Sequence, residues 1–203
     1  MKLGMIDYGR GNLRSVMNAC RALGYEPQLI TKPDELTEIS HLIFPGQGAF
    51  GDCMESLARL GLISPLCDWI KADKPYFGIC VGYQLLFESS EESPGVAGLG
   101  LISGGCKKFT SKGIKIPHMG WNDVTMTNSD SHSWAGLNSE PYFYFVHSFY
   151  PVPTNDSEIA ATCLYGEERF CAAIQKGNLI ATQFHPEKSQ DTGLQLLKNF
   201  LSA

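Results

Sequence analysis

Hydrophobic and polar positions along the first half of the chain switch between two periods. Lys2–Asp7 is a short apolar run of the kind a buried strand shows. From Asn12 onward the apolar residues Leu13, Val16, Met17, Cys20 and Leu23 recur at helical spacing, and Gly24 suits the end of that helix. Strand-like pieces follow at Pro27–Ile30 and His41–Phe44, then a helical pattern over Asp52–Leu60, the strand "KPYFGI", and a helix from Val81 to about Glu88. Strands alternating with helices predict parallel βαβ units with right-handed crossovers and helices on both sheet faces.

The second half changes period. "YFYFVHSFY", "EIAATCLY", "FCAAIQKG" and "NLIATQFHP" are β-rich and separated by short turn signals, which predicts antiparallel additions to the same sheet. A closing helix over Asp191–Leu201 places Leu194, Leu197, Phe200 and Leu201 together. No repeat, low-complexity segment or linker interrupts the 203 residues, so the chain reads as one α/β domain spanning 1–203.

Composition narrows the picture by exclusion. With 43% hydrophobic and 18% charged residues the chain has the balance of a folded globular protein. A net charge of −5 without a basic run argues against nucleic acid or an anionic membrane as partner. The apolar start is too short for a signal peptide, and no run reaches the length of a membrane span, so a cytoplasmic location is expected. Seven cysteines, an odd number with no C-x-x-C pair, point to free thiols. No histidine pair has metal-ligand spacing; neither metal nor cofactor is expected.

One cysteine stands apart. In "GICVG", Cys80 lies between Gly78 and Gly82 where a strand gives way to a helix, the form of a nucleophile elbow. Glycines there remove Cβ atoms from a crowded turn, and the first N–H groups of the following helix favour negative charge on sulfur. "NLIATQFHPEKS" supplies a base and its orienter. An apolar strand would deliver His185 to its carboxyl end, the proline after it keeps the backbone extended, and Glu187 then projects to the same side. A carboxylate on one imidazole nitrogen leaves the other free to take a proton from a nucleophile. "LIFPGQGAFGD" is again a strand followed by a glycine-rich loop. It could present backbone donors to a tetrahedral oxyanion, one from the Gly46–Gln47 peptide and another from Val81 N–H.

Together, "GICVGYQLLF" and "QFHPE" resemble the class I, triad-type glutamine amidotransferases. Within that family, "DYGRGNLRSV", "PGQGAFGDCM", "IPHMGWN", "YFVHSFY" and "QFHPEKS" are similar to the glutaminase subunits of imidazole glycerol phosphate synthases, in order along the whole chain. The resemblance implies that family's three-layer fold, a central, mostly parallel sheet with antiparallel additions. It implies L-glutamine as substrate, Cys80 as nucleophile forming a γ-glutamyl thioester, His185 as acid and base, and Glu187 as its orienter. Gln84, with backbone at Gly48 and Ser148, would hold the substrate. Ammonia would pass to a (β/α)8 cyclase partner in a heterodimer making imidazole glycerol phosphate for histidine synthesis. Asn12 and Arg14 in the N-terminal loop region, with Trp121 and Lys188, are the candidate docking residues. Position 47, usually valine in the family, is glutamine here. Alternatives at this point are a paralogous glutaminase serving another synthase, a stand-alone γ-glutamyl cysteine hydrolase, and a non-catalytic binding subunit.

Overall fold

The computed structural model describes residues 1–9, 12–127 and 131–203. Its centre is an eight-stranded sheet. The strands β1 (Leu3–Ile6), β2 (Gln28–Ile30), β3 (His41–Phe44) and β4 (Tyr76–Ile79) come from the first half of the chain. Between and after them run the helices α1 (Leu13–Ala22), α2 (Phe50–Arg59), α3 (Ile63–Lys71) and α4 (Val81–Gln84). The second half contributes β5 (Ser89–Ser90), β6 (Gly104–Lys108), β7 (His118–Asp123), β8 (Thr125–Met126), β9 (Tyr142–His147), β10 (Phe149–Pro153), β11 (Ile159–Tyr165), β12 (Glu168–Lys176), β13 (Leu179–Thr182) and the closing helix α5 (Gln190–Leu201).

Strand order in the large sheet is β2-β1-β3-β4-β13-β12-β11-β8. Neighbours from β2 to β13 are parallel; those from β13 to β8 are antiparallel. Both sheet faces are covered, which explains why the early strands read as unbroken apolar runs. Ile6, Leu42, Phe44 and Tyr76 join the core beneath α2 and α3, containing Met54, Leu57, Leu66 and Trp69. The alternate residues Met5, Ile43, Phe77 and Ile79 join the opposite core, with Val16 and Ala19 of α1 and Leu197 and Phe200 of α5. The two-residue period of each strand therefore sorts its side chains between two layers of helix.

Three expectations are corrected. "YFYFVHSFY" does not extend the large sheet: β9 pairs with β7 in a separate two-stranded sheet, and β10 pairs with β6 and β5 in another. Period alone marks a strand without naming its partner, and these pairings are non-local. β13 is not purely an antiparallel addition, since it runs parallel to β4 on one side and antiparallel to β12 on the other. The helix after Cys80 is four residues long instead of reaching Glu88. Loop amides claim the carbonyls that a longer helix would use: Leu99 N–H bonds Leu85, Gly100 bonds Phe87, and Leu101 and Ile102 bond Leu86. Helix α3 carried no signal singled out beforehand.

Candidate active site

Adjacent parallel strands bring the separated motifs together. Ile79 of β4 lies opposite Thr182 of β13, and Cys80 N–H donates to the Thr182 carbonyl at 2.7 Å. The elbow and the segment leading to His185 thus leave the sheet at the same carboxyl edge, where open α/β sheets place their ligand groups.

Cys80 adopts φ 50°, ψ −104°, a conformation that is strained for any residue with a Cβ. Its flanking glycines are required by close approach. A Cβ on Gly82 would collide with the Phe44 carbonyl, and one on Gly78 would come within 2.8 Å of the Gly82 oxygen. The Cys80 carbonyl accepts the N–H groups of Tyr83 (3.1 Å) and Gln84 (3.0 Å), closing the single turn of α4. With so short a helix, the electrostatic contribution comes from first-turn N–H groups and not from a long dipole.

The imidazole is held through one ring nitrogen and through its backbone. His185 is buried, its Nδ1 donates to Glu187 Oε1 at 2.8 Å, and its backbone N–H donates to the Tyr144 carbonyl at 2.9 Å. The Ser189 hydroxyl bonds the His185 carbonyl (2.7 Å) while accepting the Tyr144 N–H (2.9 Å). Among the described residues, Nε2 has no hydrogen-bond partner. Burial by itself would lower the ring's pKa. The neighbouring Cys80 sulfur and the Glu187 carboxylate on Nδ1 outweigh that and raise it. The raised pKa favours the protonated ring.

Cys80 borders a cavity of about 190 Å³ lined also by Gly48, Val81, Gln84, Glu92, Pro117, Val146, His147, Ser148 and Phe149. A larger hollow of about 540 Å³, between Thr127 and Gly177, contains none of these groups. Gln84 donates through Nε2 to the Phe149 carbonyl and to Gln183 Oε1, both at 3.0 Å, so Oε1 is the part of its amide left for a ligand. Two residues escaped the sequence reading. Gln183 is fully buried and points its Nε2 at the Cys80 sulfur, 3.6 Å away. It stands inside the quoted "QFHPE", where its polarity in an otherwise apolar strand was the available signal. Glu92, whose Oε2 accepts the Phe50 N–H at 2.8 Å, brings negative charge to the cavity wall.

The glycine loop is also against the elbow. A Cβ on Gly46 would overlap the Ile79 carbonyl and the Val81 nitrogen. Gln47 N–H, an expected oxyanion donor, is engaged elsewhere and donates to the Tyr8 hydroxyl at 3.2 Å.

The candidate docking residues fall in two places, the start of α1 and the surroundings of the Tyr144 ring. Asn12 caps α1, its Oδ1 accepting the Ser15 N–H, and Arg14 is exposed in the first turn. Arg10 and Gly11 of the quoted "YGRGN" lie outside the described residues. Trp121 is 46% exposed and meets the Tyr144 ring edge-on at 6.2 Å; Lys188 Nζ lies 5.8 Å above the same ring. Met119 and Tyr142 on this face of the β7–β9 sheet are 58% and 56% exposed. Among the described residues, no group of three or more His, Cys, Asp or Glu could hold a metal ion. No helix among the described residues is long and apolar enough to cross a membrane.

Comparison with known proteins places the chain in a family. Residues 4–203 match the family model "Glutamine amidotransferase class-I". A relative from Geobacter sulfurreducens, named imidazole glycerol phosphate synthase subunit HisH, is 44% identical over 205 residues, covering 98% of this chain and 97% of that one. The imidazole glycerol phosphate synthase hisHF of Emericella nidulans is also 44% identical, over 206 residues covering 97% of this chain, which spans 37% of that longer protein. The solved structure of PurLQS from Thermotoga maritima shares the fold, with a TM-score of 0.78 at 20% identity over 99% of this chain and 97% of that one. The chain belongs to the class-I glutamine amidotransferase family and, within it, to the family of imidazole glycerol phosphate synthase HisH subunits.

Proposed function

We propose that this chain hydrolyses L-glutamine to glutamate and ammonia and hands the ammonia to a cyclase partner that makes imidazole glycerol phosphate in histidine synthesis. The observation that carries the reading is the Cys80 sulfur on a strained elbow at the cavity wall, beside a His185 ring tethered to Glu187.

In this reading the Cys80 sulfur attacks the side-chain amide carbon of glutamine, and the C–N bond breaks as His185 gives its proton to departing ammonia. A γ-glutamyl thioester remains. His185, now neutral, takes a proton from water, and the resulting hydroxide cleaves the thioester, expelling the Cys80 thiolate beside the reprotonated ring and releasing glutamate, whose acid proton goes to solvent. Glu187 keeps the ring oriented through both steps. Glu92 suits the substrate's α-ammonium group, Gln84 Oε1 and the Gly48 and Ser148 backbone its remaining polar atoms. Val81 N–H and a reoriented Gln47 N–H serve the oxyanion.

The partner is read as a (β/α)8 cyclase in a heterodimer, docked over Asn12, Arg14, Trp121 and Lys188. The apolar exposure around Trp121 supports a covered face. The relative named hisHF, which extends well beyond the matched segment, supports association with a second unit. Identity of 44% with proteins named HisH favours this acceptor over a paralogous synthase, a stand-alone hydrolase or a non-catalytic subunit. In the purified complex, Cys80→Ser should abolish ammonia release from glutamine while leaving synthesis from free ammonia intact. Equal loss of both activities would sink the assignment.

A further inference from the structure

Gln183 is fully buried between β13 and His185, with its backbone N–H bonded to the Ala172 carbonyl at 2.8 Å. Both ends of its side-chain amide are engaged. Oε1 accepts Gln84 Nε2 at 3.0 Å, and Nε2 lies 3.6 Å from the Cys80 sulfur, its hydrogen-bond acceptor among the described residues. A backbone carbonyl fixes which end is which. The Phe149 oxygen receives His147 Nδ1 at 2.8 Å and Gln84 Nε2 at 3.0 Å, and, having no hydrogen to give, it can only accept. Gln84 therefore turns its nitrogen that way. The same nitrogen meets Gln183, which must answer with oxygen and so aims its own N–H groups at the sulfur. The chain runs on beyond His147, whose Nε2 meets His118 Nδ1 at 3.2 Å. Gln84, His118 and His147 are all buried, so the amide is held in one orientation by groups far away in sequence.

We propose that Gln183 is a catalytic residue: its side-chain N–H donates to the Cys80 sulfur and stabilises the thiolate that attacks glutamine and that leaves when the thioester is hydrolysed. The proposal rests on the glutaminase reading above and deepens it by giving the nucleophile a second group beside His185. The two groups do different work. His185 takes the thiol proton and passes it to ammonia, whereas Gln183 keeps its protons and offers only a dipole. A hydrogen bond to an ionised acceptor is about twice as strong as one to a neutral acceptor, so this donor favours sulfur in its charged form. The helix behind the elbow is a single turn, which leaves a discrete side-chain donor a larger share of that stabilisation. A Gln183 that served only to satisfy Gln84 would affect glutamine binding and leave the reactivity of the sulfur alone.

Gln183→Leu removes the donor at similar volume. Reactivity of the sulfur is read with iodoacetamide at neutral pH, the sulfur displacing iodide, and alkylation is followed by mass on the Cys80 peptide. Five of the other thiols are buried, and Cys67 falls on a different tryptic peptide. The alkylation rate, and kcat for ammonia release by the copurified complex, should each fall at least about tenfold. KM for glutamine should change less than about threefold, because Gln84 keeps its bond to Phe149. Gln84→Leu is the control for an effect through the glutamine site. It should raise KM at least about tenfold and leave alkylation within about threefold of wild type. Synthesis from free ammonia reports that each complex is assembled. Alkylation slowed equally in both variants, or a Gln183→Leu effect on KM alone, overturns the donor role and leaves the glutaminase reading standing. A wild-type complex that releases no ammonia from glutamine overturns that reading and the catalytic part of Gln183 with it. NMR of the wild-type chain gives a result independent of any variant's folding. A Gln183 side-chain N–H proton should move upfield once alkylation caps the sulfur, and an unmoved pair also counts against the proposal.

Discussion

His185 and Glu187 are separated by one proline, and both side chains are only 2% exposed, so their 2.8 Å contact is shielded from solvent. Replacing the carboxylate by an amide, Glu187→Gln, leaves the shape and removes the charge that helps hold the ring protonated. Steady-state kcat should fall about a hundredfold, with a smaller effect on KM. The stability effect has a defined pH sense. A histidine whose pKa is raised on folding contributes stability that is fully present below its unfolded value of 6.5 and is lost as pH climbs through the folded value. The variant's deficit in urea denaturation should therefore be largest near pH 6, at about 2 kcal/mol or more, and shrink as the medium becomes more alkaline. A deficit that grew with pH would contradict the proposed charge state.

At the scale of elements, the turn between β4 and α4 depends on backbone passing backbone with no side chain between. Gly82 lies against the Phe44 carbonyl at the end of β3, so Gly82→Ala forces neighbouring strand and turn apart. Its cost should be about 1–3 kcal/mol in chemical denaturation, with kcat lowered further because Cys80 sits on the displaced turn. A variant as stable and active as the parent would show that the turn has slack. The elbow was legible in "GICVG" because such close approach demands glycine at specific offsets. The length of α4 was not: its end is set by amides of residues 99–102, which compete for the same carbonyls from a distant loop. The β7–β9 pairing was hidden for a related reason, since Phe143, Phe145 and His147 alternate inward whichever strand lies beside them.

Across the whole molecule, Tyr144 links the two proposed regions: its carbonyl accepts the His185 N–H and its ring meets the exposed Trp121. Trp121→Ala should leave stability within about 0.5 kcal/mol of the parent, because the ring is half exposed. Affinity for the cyclase, measured by titration calorimetry, should drop at least about tenfold if the ring is an interface anchor. Unchanged affinity would move the docking face elsewhere. The sequence by itself determined the alternating α/β plan and marked the residues proposed as nucleophile, base and orienter, with the glycine loop, because each is written in local constraints of period, turn geometry and side-chain reach. Only the tertiary structure decided that β13 lies beside β4, that Gln183 and Glu92 join the site, and that Tyr8 occupies the Gln47 N–H. Those facts are contacts between segments far apart in the chain, and a local pattern carries no information about which distant surface will complete it.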